Sequence, residues 1–325
     1  MRNDSTSAQI PTEGERGTDT SRRKTKPSAF LYVLIVIVMA LWGFAFVGIK
    51  ALLDVVGPIE LTVLRFFFVL LVVAPYVVAR ALKGSLAELA TGRGLARFFV
   101  YGLVGVVAYH LSLNVGEQYT SAVVASIIVF TAPVFTLIFS KLLLEETITL
   151  RKSAGILVAL TGAVIVALEG ESGGTAGVTN YAGAALVFLA PVSWALYTVL
   201  GKRYQQQETN LAPLDFSAAT LTTGSILLMT LARPTVFSAL AHFSAVHWVY
   251  LLTLSLLCSV FGYVVWFFAL EVLEAGALSA FLYLIPIFSQ IFAWALFGER
   301  MTASIGAGML LVFAGIYLIE RRERT

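Results

Sequence analysis

Ten apolar stretches, most of them about 18–23 residues long and separated by short polar breaks, constrain this chain more than any other feature. They run over 30–50, 58–79, 97–116, 120–140, 151–168, 181–200, 214–231, 248–269, 275–297 and 303–319. A helix of ~20 residues crosses a ~30 Å hydrocarbon layer with its backbone hydrogen bonds made internally. The strands of a membrane barrel would give shorter, alternating runs. The expected fold class is therefore an all-α polytopic membrane protein with ten transmembrane helices. Composition agrees, since 58% of the 325 residues are hydrophobic and 13% are charged, against roughly 25% charged in a soluble domain. That balance excludes intrinsic disorder, a disulfide-rich secreted fold or an ordinary soluble enzyme for most of the chain. The most polar spans are 97–116, which holds His110 and Asn114, and 214–231, rich in Thr and Ser.

Charge placement orients the helices. Residues 1–28 are polar, lack apolar periodicity and read as a disordered tail. Arg22, Arg23, Lys24 and Lys26 precede the first span like the front of a signal peptide, but the long polar lead and the nine further spans argue for a retained segment. With the N-terminus in the cytoplasm, only Lys50, Arg233 and Arg300 of the 22 Lys and Arg fall on the opposite side, and Arg65 lies within a span. The positive-inside rule then puts both termini in the cytoplasm. The net charge of +3 is explained by the membrane surface rather than by nucleic acid. Cys258, the only cysteine, has no internal disulfide partner and reads as a small buried hydrophobe.

The chain repeats itself. A shift of 152 places Trp42 on Trp194, Phe46 on Thr198 and Lys50 on Lys202. A shift of 153 places Pro133 on Pro286, Glu146 on Glu299, Gly155 on Gly308 and Gly162 on Gly315. The expected organisation is a five-helix repeat over 29–169, a linker at 170–180, a second repeat over 181–320 and a short cytoplasmic tail at 321–325. Because five is odd, the second repeat enters the membrane from the other side, giving inverted repeats.

The chain resembles the drug/metabolite transporter superfamily, specifically the EamA (RhaT-like) ten-helix permeases. The likeness rests on Trp42–Gly43, on Pro58 followed by "LRFFF" at Leu64–Phe68, and on "TAPVFT" at Thr131–Thr136. It continues through "LLLEE" at Leu142–Glu146, "GILVALTGAVIV" at Gly155–Val166, "YLIPIFSQIFAWALFGE" at Tyr283–Glu299 and "GAGMLLVFAGIYLI" at Gly306–Ile319. The resemblance implies a cytoplasmic-membrane carrier with a central cavity between its halves, worked by alternating access. Export of amino acids and metabolites, multidrug efflux and some uptake occur in that family. Three departures loosen any analogy of substrate: Phe44 stands where the family has a small polar residue, Ala195 follows Trp194 in place of glycine, and Thr220 answers Arg65.

Individual residues carry alternative readings. Arg65, about seven residues into the second span, is costly in lipid by ~2.5–3.5 kcal/mol. It can snorkel to the outer interface, pair with Glu60 or Glu117 in a watery path, or hold an anionic solute. His110 and Asn114 share a helix face beside Tyr109, and Tyr263 answers His110 at the 153 offset. This face serves as interhelical glue, lines a cavity, or couples a proton through His110. Trp42, Phe46, Trp194, Tyr197, Tyr263, Trp266, Tyr283 and Trp294 form an aromatic set suited to flat or amphipathic solutes, or to plain packing. Pro133 and Pro286 are expected to kink the fourth and ninth spans. Gln290 is the most polar group deep in the ninth span. Glu146 and Glu299 sit at span ends, where they cap the following helices or bind opposite charge. The glycine pairs Gly155/Gly162 and Gly308/Gly315 permit close helix packing.

Familiar chemistry is missing from the sequence. GxxxxGK[ST], GxSxG and HExxH do not occur, and His110, His242 and His247 with one cysteine give no metal spacing. The expectation is a secondary transporter rather than an enzyme, with no cofactor or metal. Its partners are the lipid bilayer and a small-molecule substrate, with a coupling proton and a homodimer left open. Export of small metabolites, amino acids or amphipathic compounds leads; uptake is the alternative, and a channel or scaffold is less well supported.

Overall fold

The computed structural model describes residues 27–117, 119, 122–170, 181–207, 211–298 and 301–320. Residues 1–26 and 321–325 of the expected tails, linker residues 171–180 and Glu299 lie outside the described residues. Among these residues the structure consists of helices and their connections, with no strand. The first half holds α1 (Ala29–Leu53), α2 (Pro58–Leu82), composite α3 (Gly92–Gly102, a π-helical stretch Leu103–Ala108, then Tyr109–Glu117), broken α4 (Ala122–Val129 and Ala132–Leu144) and α5 (Leu150–Gly170). The second holds α6 (Tyr181–Gln207), α7 (Pro213–Met229), composite α8 (Ala245–Leu252, a π-helical Thr253–Phe261, then Gly262–Val272), broken α9 (Ala275–Ala280, 3₁₀ Phe281–Tyr283, Leu284–Phe297) and α10 (Ala303–Glu320).

Helix starts follow from the sequence. The Ser28 hydroxyl accepts from the Leu31 amide at 3.2 Å, capping α1. Pro58 and Pro213 open α2 and α7, where the missing N–H costs nothing.

Nine helices among the described residues are long and apolar enough to cross a membrane. The tenth expected span is α7, a 17-residue helix of about 25 Å, at the short end of the range. Its Thr and Ser lower its hydropathy, yet Phe216–Ser225 is buried throughout, so those hydroxyls face protein. The Thr223 hydroxyl, for example, donates to the Phe98 carbonyl of α3 at 2.8 Å. Parity supports counting α7 as a crossing. The Tyr32 hydroxyl near the start of α1 donates to Glu320 at the end of α10, at 2.6 Å. Helices joined by short connections alternate in direction, so only an even number returns α10 to the end where α1 began. We call that end proximal and the opposite end distal.

The strongest contact between halves is α5 against α10. Gly155 faces Gly315, and Gly162 faces Gly308. A Cβ added to Gly162 would stand 2.5 Å from the Gly308 carbonyl oxygen, and one on Gly155 would stand 2.8 Å from that of Gly315. Only glycine lets the backbones approach this closely, which in lipid gives packing in place of a hydrophobic driving force.

Two expectations need correction. Pro133 and Pro286 do not kink continuous helices. Instead α4 breaks at Phe130–Thr131 and resumes at Ala132, and α9 passes through a 3₁₀ turn before Leu284. Each proline then occupies the first turn of the resumed helix, where its missing donor is tolerated. Glu146 does bind opposite charge, with Lys202 Nζ 3.1 Å from its Oε1, but it does not cap the helix that follows it. Its carboxylate accepts from the Ala275 and Gly276 amides at 3.0 and 3.3 Å, capping α9 of the other half.

Candidate functional site

The third helix of each half carries a π-helical stretch at a matching place. A π turn releases backbone groups from the regular ladder, and such turns concentrate at functional sites. Gly105 in α3 and Cys258 in α8 stand 153 positions apart, the offset that relates the repeats. Each offers its carbonyl to an aromatic side chain. Trp42 Nε1 donates to Cys258 at 2.8 Å, and the Tyr263 hydroxyl donates to Gly105 at 3.0 Å.

These bonds anchor an aromatic cluster drawn from α1, α3, α6 and α8. Trp194 is its hub. Its ring centroid lies 5.3 Å from Trp42, 5.4 Å from Tyr109, Tyr263 and Trp266, and 5.9 Å from Tyr197. Edge-on and tilted contacts of this kind are worth about 0.5–1.5 kcal/mol each beyond burial. Trp266 Nε1 donates to Thr198 at 3.1 Å. Trp194 Nε1, by contrast, is buried with no acceptor among the described residues, an arrangement that leaves a hydrogen-bond donor inside the cluster.

Distal to the cluster lies a small pocket lined by Ile49, Leu53, Pro58, Leu61, Thr62, Arg65, His110 and Asn114. Its room, about 20 Å³, is of the order of one or two waters. Arg65 is 8% exposed, so it does not reach the outer surface as an anchor. Its Nε donates to Ser259 of the second half at 2.9 Å. No described carboxylate pairs with it; Glu60 folds toward Gly57 at its own helix start, and the Glu117 side chain lies outside the described atoms. Asn114 donates to the Thr62 hydroxyl. His110 joins pocket to cluster, with its ring 4.8 Å from both Tyr109 and Phe66 and Nε2 3.5 Å from the Tyr263 hydroxyl.

Phe46 stands on the stripe of α1 that runs from one to the other. Trp42, Phe46, Ile49 and Leu53 follow helical spacing along one stripe of α1. Trp42 belongs to the cluster and Ile49 and Leu53 to the pocket, so Phe46 falls between them, with 39% of it exposed.

The proximal end is closed. Below the cluster, Tyr197, Phe216 and Phe267 stack against one another, with Phe216–Phe267 centroids at 4.6 Å and Tyr197–Phe267 at 5.1 Å. Every ion pair between two described residues lies at this end. Lys202 Nζ stands 3.1 Å from Glu146 Oε1, and both side chains are 10% exposed; the lysine also donates to the Leu273 carbonyl. Arg80 grips Asp215 through two bonds of 2.9 and 2.6 Å, with Tyr76 adding a third at 2.7 Å. Lys152 pairs with Glu274, and Arg97 with Glu88.

The structure thus brings together Trp42, Tyr109, His110, Trp194, Tyr197, Tyr263 and Trp266, with Arg65 and Asn114 in the adjoining pocket. Tyr283 and Gln290 are buried in α9, and neither the Tyr283 hydroxyl nor Gln290 Nε2 has a partner among the described residues. Neither lines the distal pocket. Trp294 faces outward, 53% exposed. Sequence reasoning missed Ser259 as the partner of Arg65, and Asp215 as the partner of Arg80. Asp215 carried a signal, being an acid within an apolar segment, whereas Ser259 carried none.

Comparison with known proteins agrees with this architecture. The EamA-like transporter family matches residues 29–168 and 181–321. An "Uncharacterized transporter" of Archaeoglobus fulgidus is 30% identical over 292 residues, covering 90% of this chain and 99% of the relative. A "Probable terminal-alkyne amino-acid exporter" of Streptantibioticus cattleyicolor is 30% identical over 291 residues, covering 89% and 92%. One solved crystal structure superposes with a TM-score of 0.71 at 18% identity, covering 90% of this chain and 97% of that one, a likeness of fold alone.

Proposed function

Because the chain belongs to the EamA-like transporter family, we propose that it is a secondary transporter that exports small metabolites, amino acids or amphipathic compounds across the cell membrane by alternating access. In this reading the halves 29–169 and 181–320 rock against each other around the aromatic cluster, with both chain ends in the cytoplasm. The observation that carries the proposal is the unlike state of the two ends: a pocket reaches toward the cluster from the distal side, while aromatic packing and ion pairs close the proximal side. That is one conformation of an alternating cycle. The basic residues near the proximal end support its cytoplasmic placement. Rings from both halves offer broad apolar contact at low entropic cost, which suits flat or amphipathic solutes. The relative described as a "Probable terminal-alkyne amino-acid exporter" supports the direction and a substrate class that includes amino acids.

The test is flux of a solute panel in proteoliposomes of defined orientation, with and without an imposed pH gradient. Export predicts movement from the proximal to the distal side, and proton coupling predicts acceleration by the gradient. Movement only in the opposite sense would make this an uptake permease, and no flux of any solute would overturn the transporter reading.

A further inference from the structure

The Arg65 pocket has a property that packing does not account for. It holds a buried guanidinium whose Nε bonds to Ser259, while the paired terminal nitrogens have no hydrogen-bond acceptor and no carboxylate among the described residues. Its guanidinium carbon also lies 5.7 Å from the ring centre of the adjoining Phe66. A buried charge without a counter-charge is expensive, so such residues mark functional sites. The surrounding polar groups, Thr62, His110 and Asn114, are neutral or weakly basic, and α2 directs the positive end of its dipole toward the same place. All of this favours an anion.

We infer that this pocket is the binding site for the carboxylate of a transported solute, whose apolar body lies along Phe46 toward the aromatic cluster. The inference deepens the transport reading and rests on it. One arginine matches one negative charge; a phosphate dianion would call for a second cation, and the remaining wall is the apolar Ile49, Leu53, Pro58 and Leu61. The fork of a guanidinium suits the two oxygens of a carboxylate. Counted from the helix starts Pro58 and Pro213, the second repeat has Thr220 in the corresponding place, so the site exists once, nearer the distal end.

The experiment compares benzoate with benzamide, matched in shape but not in charge, by calorimetry on the purified full chain in detergent without anionic lipid. The expected result is at least tenfold tighter binding of benzoate, a preference that Arg65→Gln erases and Arg65→Lys reduces. If Arg65→Gln does not yield folded protein, Asn114→Leu decides, with an expected threefold or greater drop in the preference. Equal binding of the two probes, or a preference unchanged in the decisive variant, overturns the carboxylate site. Competition by phosphatidylglycerol at the same concentration as benzoate would also overturn it, in favour of a lipid headgroup. The flux panel separates the two proposals: transport of neutral solutes with no benzoate preference sinks the site alone, whereas a benzoate preference without any flux sinks the transport reading.

Discussion

Lys202 Nζ lies 3.1 Å from Glu146 Oε1, and this bond ties the second half of the chain to the first. Glu146 simultaneously caps the start of α9, and Lys202 also holds the Leu273 carbonyl just before it. One ion pair thereby joins the end of α4, the end of α6 and the junction of α8 with α9. In an alternating cycle this junction has to part when the proximal side opens.

Breaking that pair should therefore act on stability and on conformation together. Glu146→Gln removes the carboxylate partner of a buried ammonium, and Lys202→Met removes the ammonium partner of a buried carboxylate. Each should cost on the order of 3 kcal/mol, and the double variant less than the sum. Thermal unfolding in detergent measures the first effect. Alkylation of a cysteine introduced at Ala275 measures the second, and faster labelling in Glu146→Gln than in its parent is expected.

Removal of one ring that packs on the hub should abolish function before it abolishes insertion. Trp42→Ala takes away a ring of the cluster and the donor to the Cys258 carbonyl. Flux should fall at least tenfold while membrane-inserted protein stays near the parental level. Full activity would sink the assignment of the cluster to the solute path.

Gln290 separates packing from recognition. Its Nε2 is buried without a partner among the described residues, so Gln290→Leu should leave the unfolding temperature unchanged or raise it. A loss of flux in that more stable protein would assign the amide to the solute. Unchanged flux would assign it to packing.

The α5–α10 interface predicts a sharp contrast between glycines on one helix. Gly308→Leu should destabilise by several kcal/mol, because the added atoms collide with the backbone of α5. Gly306→Ala on the same helix meets nothing within 4 Å and should be neutral or slightly stabilising.

Both chain ends should label from one side. The Tyr32–Glu320 bond places the start of α1 beside the end of α10, so impermeant reagents should reach tags at the two termini equally or not at all. Unequal labelling would mean an odd number of crossings and would remove α7 from the count.

Much of this was legible in the sequence because lipid imposes a simple rule of length and polarity. Each expected span has its helix, and the matched Trp42 and Trp194 meet at 5.3 Å. Tyr263 and His110, matched by the offset of 153, meet across the two halves with the hydroxyl 3.5 Å from Nε2. What stayed hidden was pairing at a distance. Nothing local links Glu146 to Lys202, and neither an anchor nor Glu60 proved to be the answer for Arg65. The prolines were read as kinks because a residue list cannot distinguish a bent helix from one that stops and restarts. The π-helical stretches left no mark either, since their composition is that of any membrane helix.

Those stretches carry a consequence for how the sequence can change. A π turn holds a surplus residue, and each residue of an α-helix advances the direction by about 100°. Deleting a single residue from Thr253–Phe261 would let α8 relax to regular winding and return the Cys258 carbonyl to the helix ladder, away from Trp42. Lineages of this chain should therefore accept many exchanges in that stretch and almost no shortening.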